Sequence, residues 1–79
     1  MFIELTQQVS GQPCLVNLND VQDIVPLENN PYAKTRIMYI HQVDGSYYRD
    51  VKEDYEAVKE MIHRAGLFMP YLNEHFRYA

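Results

Sequence analysis

The stretch TRIMYIHQVDGSYYRDV, residues 35–51, decides the fold class. Its first part, Thr35–Gln42, is rich in β-branched and aromatic residues, which suit a pleated and half-buried strand. Asp44-Gly45 follows, and this dipeptide favours the tight two-residue turn that joins antiparallel strands. Tyr47–Val51 then reads as the returning strand of a hairpin.

Toward the N-terminus, Phe2–Gln8 alternates with period two: Ile3 and Leu5 share one face, Glu4 and Thr6 the other. Ser10-Gly11-Gln12-Pro13 signals a turn, and Cys14–Leu18 is a second short strand close enough to make a hairpin. Pro13 has no amide hydrogen and belongs at the beginning of that strand. Asn19 and Gln22 resemble a helix-capping pair, but Pro26 would stop a helix almost at once. A brief turn at Asn19-Asp20 followed by a strand over Val21–Leu27 is therefore expected, then a loop over Glu28–Lys34.

Toward the C-terminus the period changes. Tyr55, Val58, Ile62 and Ala65 recur at three- and four-residue steps, which predicts a helix over Glu53–Ala65 with an apolar stripe that Met61 widens. Lys52 with Glu56, and Glu60 with Arg64, place opposite charges four apart on its exposed side. Gly66 stands where a left-handed terminator would sit, and Pro70 can open a second short helix on which Leu72 and Phe76 share a face. Strands followed by helices predict an α+β fold. The expected architecture is a small antiparallel sheet of four to five strands, one amphipathic helix packed on one face, and a short C-terminal helix or aromatic tail. Residues 1–66 form the sheet-plus-helix domain, and residues 67–79 an aromatic extension that packs on it or on a partner.

Several of these residues resemble a known pattern. Ile3-Glu4-Leu5-Thr6, Gly11, Val16-Asn17, Val21 with Ile24, Thr35-Arg36-Ile37, Gly45, Tyr48 to Val51, and Glu53, Glu56, Val58 and Ile62 follow one another in that order. This succession is similar to the small flagellar FlbD-type family of short β-rich proteins, and to other short bacterial and phage proteins. It covers about residues 2–63. The loop at Asn29–Lys34 is longer than is usual there, and the aromatic stretch after Gly66 has no counterpart. The resemblance implies a compact sheet-plus-helix adaptor without enzymatic activity, and it supplies no catalytic residues.

The 79 residues make one domain, which buries only about 60–65% of the surface its unfolded chain exposes, so a deep cleft is hard to accommodate. A net charge of −4, from 11 acids against 7 bases, opposes binding that relies on neutralising phosphates. Cys14 is the single cysteine, so no internal disulfide forms. The opening MFIELTQQ lacks the features of a signal peptide, and no apolar run approaches the roughly 20 residues of a membrane span. The expected location is the cytoplasm, of a cell or of a host.

The chemistry-bearing residues are scattered. Cys14, His41, His63 and His75 show no metal-ligand spacing, and no metal or other cofactor is expected. Cys14 lies in an apolar strand, where thiols are usually inert, and the carboxylates of Glu56 and Glu60 share a helix face with bases. No catalytic residue is assigned.

What stands out is the aromatic content, seven tyrosines and three phenylalanines. The expected function is that of a non-enzymatic protein–protein interaction module with an adaptor or regulatory role, as a homo-oligomer. A phage-encoded inhibitor of a host protein is one specific form. The expected partner-binding residues are Tyr47, Tyr48 and Arg49 of the hairpin, with Phe68, Tyr71, Leu72 and Phe76 of the tail. The alternative is a single-stranded nucleic-acid-binding protein, in which Tyr32, Lys34, Arg36, Tyr39, Tyr47, Tyr48 and Arg49 interleave rings and positive charges.

Overall fold

A computed structural model describes residues 1–65, in which five strands precede one helix. The chain runs β1 (Phe2–Thr6), β2 (Pro13–Asn17), a 3-10 turn (Leu18–Asp20), β3 (Val21–Pro26), β4 (Thr35–Val43), β5 (Ser46–Val51) and α1 (Tyr55–Arg64). The second short helix expected around Pro70, and the tail residues Phe68, Tyr71, Leu72 and Phe76, lie outside the described residues.

The strands do not form the single sheet expected. They divide into a two-stranded sheet, β1-β2, and a three-stranded sheet, β3-β4-β5, all antiparallel. The division has a local cause. After β2 the chain makes the 3-10 turn, in which the Asn17 side chain accepts the Asn19 amide at 3.0 Å and Val21 bonds back to Leu18. The capping residue is thus Asn17, two positions before the Asn19 of the sequence pattern. This corner redirects β3 away from β2. Backbone bonds join the two sheets where β1 runs out: Gln7 bridges Val51, Gln8 donates to the Asp50 carbonyl at 3.1 Å, and Lys52 donates to the Thr6 carbonyl at 3.0 Å.

Alternation along the strands sends Ile3, Leu5, Val16, Ile37, Tyr39 and Val51 into one core, which Val58 of α1 completes. The helix stripe falls as its period requires: Val58 is buried, Met61 and Ile62 pack against the same cluster, and Tyr55 and Ala65 are half-buried. Each large aliphatic side chain so buried favours folding by roughly 1.5–3 kcal/mol.

The helix begins two residues later than the periodicity predicts. Asp54 is its N-cap and accepts the Ala57 amide at 2.8 Å. Glu53 is therefore free for another task. Its carboxylate takes the Thr6 amide and the Thr6 hydroxyl, both at 2.8 Å, while its carbonyl accepts the hydroxyl of fully buried Thr35 at 2.6 Å. One residue thus ties the start of α1 to β1 and β4.

Candidate protein-binding face

The turn at the end of the central hairpin has the geometry its dipeptide favours. Asp44 and Gly45 both have positive φ, 52° and 80°. The strands behind it are less regular. Met38 pairs with Tyr48 and Val43 with Ser46, so Tyr39, Ile40, His41 and Gln42 of β4 stand against Tyr47 alone. The excess bends the far half of β4 toward β3 and the 3-10 turn, where Tyr39 pairs with Val21 and His41 meets Asp20. It also leaves Tyr47 on a strand that has lost its neighbour, 57% exposed.

Below the bulge the register is regular and assigns faces. Ile37 is opposite Arg49, and Ile37 is fully buried, so Arg49 lies on the core side of β5. Its side chain is only 17% exposed, bonds Asp44 at 3.0 Å and lies within electrostatic reach of Cys14 and Tyr39. Tyr48 is opposite Met38 and Asp50 opposite Arg36, which places all four on the outer face. The hairpin trio expected from sequence is thus divided: Tyr48 stands on the outer face, Tyr47 at the irregular end, and Arg49 underneath.

On the outer face a different trio comes together. Arg36 grips Asp50 with two parallel bonds, Nε to Oδ1 at 2.7 Å and Nη2 to Oδ2 at 3.0 Å. Its guanidinium carbon lies 4.2 Å from the centre of the Tyr48 ring. Fork and stack fix the guanidinium from two directions, and the stack in turn holds the ring. The carboxylate pushes the Arg36 pKa further above its already high ordinary value. The result is an exposed tyrosine, 46% open to solvent, on a rigid support. Sequence reasoning placed Arg36 among the bases near the hairpin but did not pair it with Asp50; the fourteen-residue separation is closed only by the register of β4 and β5.

The same pairings bear on charge. Arg36 and Arg49, two of the bases interleaved with tyrosines, are each bound to a carboxylate, and Tyr39 is buried. Among the described residues no group of three histidine, cysteine, aspartate or glutamate side chains is placed to hold a metal ion, and no described helix is long and apolar enough to cross a membrane.

His41 offers a check on the bend in β4. Its Nδ1 faces the Gln42 carbonyl at 3.0 Å and its Nε2 the Asp20 carboxylate at 2.9 Å. Both ring nitrogens can donate only in the imidazolium, so these two acceptors, the carbonyl first, raise its pKa above the ordinary histidine value. The stabilisation from this contact is therefore complete below the unfolded histidine pKa and fades as pH rises through the higher folded value. An NMR titration of the His41 ring should give a midpoint above that of a free histidine, and Asp20→Asn should lower it. A wild-type midpoint at or below the free value would mean that β4 does not bend onto the 3-10 turn as described.

Compared with models of known protein families, with curated proteins and with solved structures, the chain matches none.

Proposed function

We propose that this chain is a non-enzymatic protein–protein interaction module with an adaptor or regulatory role, and that it binds through the outer face of β4 and β5 around Tyr48. The observation that carries the reading is the clamp of Arg36 on Asp50 beneath the Tyr48 ring. Tyrosine and arginine are the residue types that dominate binding energy at protein interfaces. A ring already held in place loses less freedom on docking than a mobile one. Met38 on the same face adds apolar area, half-buried before any partner arrives.

The nucleic-acid alternative draws less support. Stacking on Tyr48 is open to a base, but the arginines that would meet phosphate are already neutralised by Asp50 and Asp44. A low-salt titration with single-stranded oligonucleotide is expected to be flat.

Affinity capture from native lysate with the wild-type chain and with Tyr48→Ala tests the reading. Proteins retained by the wild type should be lost with the variant. Equal retention by both, with the variant folded, would remove the outer face from consideration.

A further inference from the structure

The β5 strand has a second edge, the one turned away from β4. β1 covers part of it: Gln8 donates to the Asp50 carbonyl, and Gln7 bridges Val51. Beyond Gln8 the chain turns back on itself, with the Gly11 amide on the Gln7 carbonyl at 2.9 Å and Gly11 at φ +71°. It leaves β5 uncovered from Tyr48 toward the turn. An open groove of about 390 Å³ lies there, bordered by Gln8, Val9, Ser46 and Tyr48 among others. Val9 on its rim is 92% exposed. Backbone groups alternate in direction along a strand. Asp50 presents its carbonyl to the β1 side, so Tyr48, two residues away, presents its amide and carbonyl to the same side. An amide and a carbonyl projecting together from a bare strand are what another strand pairs with.

Here they are already engaged. The Ser46 hydroxyl donates to the Tyr48 carbonyl at 2.8 Å and accepts the Tyr48 amide at 3.2 Å. A hydroxyl has one donor and two acceptor sites, so it can occupy both groups at once, as a neighbouring strand would. We propose that Ser46 is a cap on the open edge of β5, and that it prevents this edge from pairing with the same edge of a second copy of the chain. The second copy is the occupant because an antiparallel pair centred on Tyr48 of two copies is self-complementary, each Tyr48 giving one amide and taking one carbonyl. Other edges have their own blocks: β2 begins at Pro13, and β3 carries an irregularity between Val21 and Asp23 and ends at Pro26.

The test uses an isosteric pair. Ser46→Thr keeps the hydroxyl, and Ser46→Val replaces it with a methyl group of similar shape. Amide hydrogen exchange at Tyr48 and sedimentation over a concentration series are measured for both and for the wild type. With valine, Tyr48 exchange under dilute conditions should quicken about tenfold, the loss of one net hydrogen bond. The apparent mass should then rise with concentration above that of the wild type. Threonine should match the wild type in both. Unchanged exchange with valine would show that there is no cap. Faster exchange with no change in association would show that the cap guards nothing. If valine unfolds the chain, Ser46→Ala replaces it with the same expected outcomes.

Discussion

Glu53→Ala is expected to lower the stability of the chain by about 2–3 kcal/mol. The carboxylate of Glu53 receives both the amide and the hydroxyl of Thr6, at 2.8 Å each. Hydrogen bonds to a charged acceptor contribute about 1.5–3 kcal/mol, and a partly covered amide left without a partner adds its own desolvation cost. Contrast the Glu60–Arg64 pair on the exposed side of α1, at 3.1 Å with both side chains mostly in solvent. Pairs of that kind contribute about 0.3–0.5 kcal/mol. Urea denaturation should therefore show a clearly reduced midpoint for Glu53→Ala and a nearly unchanged one for Glu60→Ala. Glu53→Gln should fall between, since its Oε1 can still accept the Thr6 amide and its Nε2 can donate to the Thr6 hydroxyl oxygen, but the negative charge that strengthens both bonds is lost. Equal midpoints for Glu53→Ala and the wild type would mean that the contact to Thr6 does not hold the sheets and helix together.

That contact also shows where reading the sequence stops. Glu53 stands first in the helix that the apolar stripe predicts over Glu53–Ala65. It precedes the helix instead, and its role depends on Thr6, 47 positions away. Periodicity identifies which face a side chain takes within its own strand or helix. On that basis the strands, the turn at Asp44-Gly45 and the stripe through Val58 and Ile62 were legible. Periodicity does not say which strand lies alongside which, or at what offset. The two sheets part at the 3-10 turn after Asn17, which is held by the Asn17 side chain on the Asn19 amide and the Val21 amide on the Leu18 carbonyl and which no periodicity signals. The candidate face depends on register. Arg36 meets Asp50 because Thr35 pairs with Val51, and Arg49 is turned under because Ile37 is opposite it. A slip of one residue would exchange these faces. An aromatic-rich hairpin could be located from sequence, but not which of its side chains would share a surface.

The face itself makes the second large prediction. Tyr48→Ala should weaken binding to a protein partner by about 2 kcal/mol or more, roughly 30-fold in Kd. Arg36→Ala should do nearly as much without any direct contact to the partner. It frees the Tyr48 ring and leaves Asp50, with a side chain 18% exposed, as a carboxylate without its cation. Arg36→Lys should not rescue it, because an ammonium cannot make the paired bonds to Asp50 and stacks less well on a ring. Tyr32→Ala is the matched control: that ring is also exposed, at 72%, but among the described residues no cation–π contact lies beneath it. Its loss should leave Kd within about twofold, a few tenths of a kcal/mol. The decisive measurement is the double variant. If Arg36 acts by positioning Tyr48, Arg36→Ala combined with Tyr48→Ala should lose clearly less than the sum of the two. Simple additivity would mean that the arginine touches the partner itself. No loss in either single variant would place the binding surface elsewhere on the molecule.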